Sequence, residues 1–294
     1  MKARSVVSIP GLLAIAVAHT VSAQVILTGT SYEQTFDDIG KGLPSGWSVR
    51  TNATAAALGT VAMFTTTTTS WGNTSGQFAN YASTVNSGTN LLGGESTAVQ
   101  TACTNRGPGV RQTLTFGDPG AAFVLQIQDT LGLANFELVV DLNMLSMQNR
   151  SNFWTIDYGF GNSPASFTPV WTNSDPSIFG TMRRTISFGN ALDNQAQPVW
   201  IRVVALDLST GSGSRDTFGI DNFRLNYQAS GSVAPIPLRI ELFGTNAVLT
   251  WSDALFNLQA APLIHGVYTN VPGATSPYTN PIVGPQQYFR LKAG

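Results

Sequence analysis

Gly211–Tyr227 (GSGSRDTFGIDNFRLNY) constrains the fold more than any other stretch of this chain. Up to Asn222 the apolar side chains fall at even positions, Phe218 and Ile220. Beyond it they fall at odd ones, Phe223, Leu225 and Tyr227. A strand has period two, so both sets face one core only if an extra residue is inserted at Asp221–Asn222. That is the pattern of a β-bulge in a long strand. The polar turn before it and the linker-like sequence after it make this the closing strand of a domain.

The stretches upstream have the same character. Ala121–Gln128 alternates Phe123, Leu125 and Ile127 against Val124, Gln126 and Gln128. Asn135–Asn143 alternates Phe136, Leu138, Val140 and Leu142 against Glu137, Val139, Asp141 and Asn143. Asn152–Phe160 puts Trp154, Ile156, Tyr158 and Phe160 opposite Phe153, Thr155 and Asp157. Arg184–Phe188 is a shorter strand, and Val199–Leu206 sets Val199, Ile201 and Val203 against Trp200, Arg202 and Val204. One apolar and one mixed face per strand is what two packed antiparallel sheets require. The expected class is all-β: an antiparallel jelly-roll β-sandwich followed by a small C-terminal β-domain. Thr51–Asn105, with its Thr65–Thr69 run, reads as irregular loops with one or two strands near Trp71–Ser83 and no helix.

The organisation follows from composition. Residues 1–23 read as a signal peptide: Lys2 and Arg4, an apolar Val6–Ala18, then Val21-Ser22-Ala23 before Gln24. Residues 24–227 form the sandwich, 228–236 a Gly/Ser/Pro linker, and 237–294 a small β-module of five short strands with a core from Trp251, Leu258, Tyr268 and Phe289. A secreted or cell-surface address after Sec-type export is expected, with no membrane span once the signal is removed. Two of the 15 Lys+Arg lie in the leader, leaving 13 against 16 Asp+Glu and a net charge of −3. Without a basic patch, nucleic acid is not an expected partner.

Phe36-Asp37-Asp38 and Gly42-Leu43-Pro44-Ser45-Gly46-Trp47 near the start, with Phe218-Gly219-Ile220-Asp221-Asn222-Phe223 at the end, resemble secreted jelly-roll modules: carbohydrate-binding, MAM-like and concanavalin-like sandwiches. The resemblance implies that the first and last strands lie side by side. Residues 237–294 resemble a short C-terminal β-module recurrent in secreted bacterial proteins, through Asn246–Trp251, Tyr268–Ala274 and Gln287–Leu291. That likeness implies an accessory module rather than a catalyst.

The chemistry open to such a chain is narrow. Once the leader is removed, His265 is the only histidine, and Cys103 is the only cysteine, so nucleophile–histidine catalysis and zinc sites lack their residues. The four Glu are scattered, and Glu137 and Asp141 have Val139 between them, so the paired carboxylates of a glycosidase are not evident. No catalytic residue is assigned. Jelly-roll modules of the kind resembled often hold a structural Ca²⁺ between the first and last strands, which would draw on Asp37, Asp38, Asp216 and Asp221. The competing reading has Asp221 bonding its own bulge, and Arg215–Asp216 and Arg224 taken up in ordinary ion pairs with acids.

If the strands are neighbours, Trp200, Arg202, Phe153, Asp157, Asp141 and Gln126 share a sheet face. That mixture of aromatic, amide and charge is how sugars are held, with Trp71 and Trp171 at the rim. The alternative is ordinary outer-face decoration, with Trp200 under a loop. The first expectation is therefore an exported, non-catalytic binding or adhesion protein for an extracellular polysaccharide. The alternative is a cell-surface structural protein contacting other proteins, and a polysaccharide hydrolase or lyase is a third reading.

Overall fold

The computed structural model describes residues 24–83, 94–173, 181–230, 236–284 and 286–293. The expected leader and most of the expected linker lie outside them. In chain order the first part carries β1 (Ser31–Gln34), β2 (Trp47–Thr51), β3 (Thr60–Val61), β4 (Phe64–Thr69), β5 (Gln77–Ala82), α1 (Thr97–Ala102), β6 (Arg106–Arg111), β7 (Ala122–Ile127) and β8 (Leu133–Ser146). It continues with β9 (Arg150–Ser151), β10 (Thr155–Phe160), β11 (Thr168–Thr172), β12 (Thr181–Ser187), β13 (Val199–Val204), β14 (Thr210–Gly211) and β15 (Thr217–Ala229).

These strands make a jelly-roll sandwich. One sheet runs β12-β8-β15-β6-β5-β4, with β1 also on β15; the other runs β11-β10-β13-β7-β2-β3. The pairs are antiparallel except β4 on β5, which is parallel. The alternation in sequence becomes the core. Phe136, Leu138, Val140 and Leu142 of one sheet meet Phe123, Leu125, Ile156, Ile201 and Val203 of the other, and all are buried. Each such side chain contributes about 1.5–3 kcal/mol by leaving water. Trp154, just before β10, stacks on Phe218 near the start of β15 at 3.8 Å between centroids.

The closing strand behaves as its parity switch requires. Asp221 lies opposite Asp141 and Arg224 opposite Val139, so three steps on β15 match two on β8. The extra residue is Asn222, at φ 46°, a left-handed conformation that Asn tolerates better than other side chains. Phe218, Ile220, Phe223, Leu225 and Tyr227 all enter one core as a result. The first and last strands do lie side by side, with Ser31 opposite Asn226 and Gln34 opposite Phe223. Trp47 sits edge-on between Phe36 and Phe223, each at 4.9 Å, and pins this seam.

Thr51–Asn105 departs from expectation. The threonine run is strand β4, because β-branched side chains suit a pleated edge. A short helix also forms at Thr97–Ala102, where Ser96 caps it by accepting from the Val99 N–H. This region covers part of the seven-stranded sheet. Trp71, wholly buried, donates its indole N–H to the Ala82 carbonyl at 2.8 Å and packs with Tyr81 and Leu145. A Cβ on Gly109 would stand 2.6 Å from the Tyr81 ring, so glycine is what lets that ring lie flat on the sheet.

The tail has β16 (Arg239–Phe243), β17 (Asn246–Thr250), β18 (Phe256–Ala261), β19 (Thr269–Asn270), β20 (Tyr278–Pro281) and β21 (Tyr288–Ala293). They form two three-stranded sheets, β16-β17-β20 and β19-β18-β21. β20 is one strand more than the sequence suggested. The tail core is Leu249, Trp251, Phe256 and Leu258, with Phe289 against it. Tyr268 is not part of it; its ring lies 4.3 Å from the Arg290 guanidinium instead.

Candidate ligand cleft

The two sheets each carry an aspartate and an arginine on facing strands, and they treat the pair differently. On the six-stranded sheet Asp157 of β10 lies directly opposite Arg202 of β13. Arg202 Nε donates to Asp157 Oδ1 at 2.8 Å and Nη2 to Oδ2 at 2.6 Å. The remaining guanidinium N–H groups reach the carbonyls of Ala57 at 2.8 Å and Thr54 at 3.1 Å. Those carbonyls belong to a loop that folds over the sheet. Phe167, whose N–H bonds the Ala55 carbonyl at 2.9 Å, lays its ring 3.3 Å from the guanidinium centre. Burial raises the Asp157 carboxyl above the usual carboxylate range, against the smaller lowering effect of Arg202.

The expectation of an open sugar-stacking face here is corrected by this cover. Arg202 and Asp157 are 0% and 1% exposed, and Trp200 donates its indole N–H to the Gly161 carbonyl under the same loops. Loop backbone takes the places a ligand would need. Gln126, opposite Trp200, is half-buried, as is Phe153 just before β10. Asp141 is on the other sheet altogether, so the six residues do not share one face. Trp71 is likewise in the interior rather than at a rim, whereas Trp171 is half-buried with Arg184 5.4 Å from its ring.

On the seven-stranded sheet the equivalent pair is open on its arginine side only, Asp141 itself being buried. Arg183 of β12 lies opposite Asp141 of β8 and clamps it with two hydrogen bonds, 2.7 and 2.8 Å. The Asn222 amide, placed outward by the bulge, donates to Asp141 Oδ2 at 2.8 Å. Here the arginine side chain is 63% exposed. Beside it Arg224 meets Glu33 at 3.1 Å across the β15–β1 pair. Between these groups is an open cleft of about 280 Å³, lined by Glu33, Gln34, Val139, Arg183, Asn222 and Arg224, among others.

Beneath its end lies a buried polar chain. Asp221 Oδ2 accepts from Ser83 Oγ at 2.5 Å, and Ser83 Oγ accepts from the Asn143 amide at 2.8 Å. Asp221 Oδ1 accepts from the Asn222 backbone N–H at 2.7 Å. Burial pushes this carboxyl up to about 7, and the Asp37 and Asp141 charges add to the effect against the hydrogen bonds that lower it.

The four aspartates expected to gather around calcium do not meet at one point. Asp37 Oδ1 accepts from the Arg106 N–H at 3.0 Å. Asp38 points to solvent and pairs with Lys41 at 3.1 Å. Asp216 is buried, accepts from the Gln148 N–H at 2.5 Å, and is pushed up to about 6 by desolvation. It precedes Asp221 by five residues of extended chain, on the order of 16 Å, and so faces a different part of the sheet. Among the described residues, no group of three or more Asp, Glu, His or Cys is placed to hold a metal ion. Arg215 pairs with the Asp118 carboxylate and Arg224 with Glu33, as ordinary ion pairs.

His265 sits in an exposed turn of the tail. Cys103 is half-buried at the end of α1, with its Sγ 3.3 Å from the Asn105 carbonyl. The residues that sequence reasoning missed as site residues are Arg183, Arg224, Glu33, Asn222, Ser83 and Asn143. Only Asn222 carried a local signal, as the Asn of an Asp-Asn pair at a parity switch.

No protein-family model and no curated protein matches the sequence. Among solved structures, the chain is similar to a cleaved adhesin domain of Lys-gingipain from Porphyromonas gingivalis. That match has 11% identity and TM-score 0.38, over 69% of this chain and 100% of that one. It is similar to a xylan-binding domain from Paenibacillus barcinonensis at 7% identity and TM-score 0.35, over 68% and 94%. A xylanase from Cellvibrio japonicus in complex with xylopentaose matches at 10% identity and TM-score 0.37, over 64% of this chain and only 28% of that one. At these values the likenesses assign no ligand to this chain.

Proposed function

We propose that the chain is an exported, non-catalytic binding or adhesion protein, and that its ligand is a hydroxyl-rich one, an extracellular glycan, held in the cleft on the outer face of the seven-stranded sheet. The observation that carries this reading is the cleft's lining. Guanidinium, amide and carboxylate groups of Arg183, Arg224, Asn222 and Glu33 alternate around the half-buried Val139. Donors and acceptors fixed by their own pairing suit hydroxyls and cost little ordering on binding. None of those lining residues is an aromatic open to ring stacking, so recognition runs through hydroxyl contacts.

A cell-surface structural role is the second reading. The observation favouring it is the tail, which carries nine of the seventeen large hydrophobic side chains exposed among the described residues.

The experiment is a glycan array with the full chain, run in calcium and in chelator. Saturable binding that Arg183→Ala and Asn222→Ala both abolish supports the cleft, and its loss in chelator would bring a calcium near Asp37 and Asp221 into the reading. A blank array in both conditions would replace the glycan reading with the structural one.

A further inference from the structure

The exposed apolar surface of the tail has a definite shape at β16. All five of its residues are exposed, including Ile240 at 52%, Leu242 at 75% and Phe243 at 79%. Among the described strands β16 pairs only with β17, so its other side presents unpaired backbone N–H and C=O groups. The opposite edge of the same sheet, β20, is built differently. Pro277 and Pro281 flank its short ladder, and Pro281 lies opposite Asn246. Prolines blunt an edge because they cannot donate to a new strand. β16 has no such block within its five residues.

The side chains on β16 also fall on two distinct faces. Ile240 and Leu242 lie opposite Leu249 and Ala247, both buried in the tail core. The core face therefore runs on to the edge and ends uncovered. Arg239 and Glu241 project from the other face, two residues apart and of opposite sign.

We propose that β16 is a pairing edge for a second copy of this chain, joined antiparallel about a two-fold axis through Ile240. Keeping core face against core face allows only registers that match even with even positions. Among those, a two-fold centred on Arg239 or on Glu241 sets like charges opposite each other. The register centred on Ile240 sets Arg239 against the partner's Glu241 and Leu242 against the partner's Leu238, with each contact made twice by symmetry. Pro237 then ends the ladder opposite the partner's Phe243. A contact of five residues a side is small by the standard of stable interfaces, so the dimer forms with rising concentration rather than permanently.

The test is sedimentation velocity on the full chain across a dilution series, with charge-swapped variants. The wild type is expected to show a monomer–dimer equilibrium. Arg239→Glu and Glu241→Arg each set two like-charge pairs across the axis and should weaken the dimer by about tenfold. Mixing those two variants restores both opposite-charge pairs in a heterodimer, and the double swap restores them in a homodimer. Both positions are exposed, and an unchanged near-ultraviolet circular dichroism spectrum would establish that each variant is folded. Leu242→Ser gives a second loss that involves no change of charge. A wild type that stays monomeric to its solubility limit would overturn the proposal. So would self-association indifferent to the swaps, which would indicate either another surface or an edge used by a strand of a different protein.

Discussion

The sandwich contains the same pair of residues twice, once on each outer face, and only the cover differs. Asp157 and Arg202 are sealed beneath the 52–58 loop and Phe167, with loop carbonyls satisfying the arginine. Asp141 and Arg183 make an equally close two-bond clamp, yet the arginine faces solvent beside an open cleft. A fully buried pair cannot lose one partner without stranding the other's charge, while a pair whose arginine stands in solvent can exchange that arginine for water or ligand, even though Asp141 itself is buried. An aspartate–arginine pair on a strand therefore says little about function until its cover is known.

The largest effect should come from breaking the sealed pair. Arg202→Ala leaves Asp157 buried and uncompensated and should cost about 3–5 kcal/mol, measured by chemical denaturation. Arg183→Ala should cost clearly less, because Asp141 keeps the Asn222 amide and its arginine side opens to water. Equal losses would erase the distinction between the faces.

Next is the lid. Phe167→Ala removes the ring against the guanidinium and should cost about 3 kcal/mol. Hydrogen exchange should then show the 52–58 loop opening sooner, and unchanged exchange would mean that Phe167 does not hold the seal.

The bulge is third. Asp221→Ala removes the acceptor for Ser83 and for the Asn222 N–H, at a cost of about 1–3 kcal/mol. Asp221→Asn, which keeps an acceptor oxygen, should cost less. A melting temperature unchanged in Asp221→Ala would contradict the role assigned to it.

The last effect is in pH dependence. The folded chain holds a proton on Asp221 to about pH 7 and on Asp216 to about pH 6, whereas the unfolded chain releases both near 3.8. The folded state binds more protons in that window, so these two groups stabilise it below pH 4 and their contribution is lost as pH rises through 6 and 7. A melt at pH 5 should therefore exceed one at pH 8, and Asp221→Asn should flatten the difference. Calcium bound at Asp221 would reverse the sign, because the ion favours the ionised carboxylate.

Much of this fold is legible in the residues. The switch from Phe218 and Ile220 to Phe223 and Leu225 locates the bulge at Asp221–Asn222, because strand period is a property of the backbone and survives any tertiary context. The pairing of first and last strands was expected from the resemblance at the two ends. What the sequence does not hold is which mixed face is covered. Trp200, Arg202 and Asp157 read as a sugar platform because strand alternation cannot see a loop arriving from 145 residues away in sequence. The clamp on Asp141 escaped for the same reason: Arg183 is 42 residues distant and without a motif. The short helix at Thr97–Ala102 was missed because a single Ser96 cap decides it against the weak helical propensity of its threonines.

The most direct measurement is glycan binding by the full chain against two variants, one on each face. Arg183→Ala in the open cleft should abolish binding with the fold intact. Trp200→Phe beneath the lid should leave the affinity unchanged, despite costing some stability through its lost bond to Gly161. Binding that survives Arg183→Ala and falls with Trp200→Phe would contradict the assignment of the open cleft and return the ligand to the six-stranded sheet.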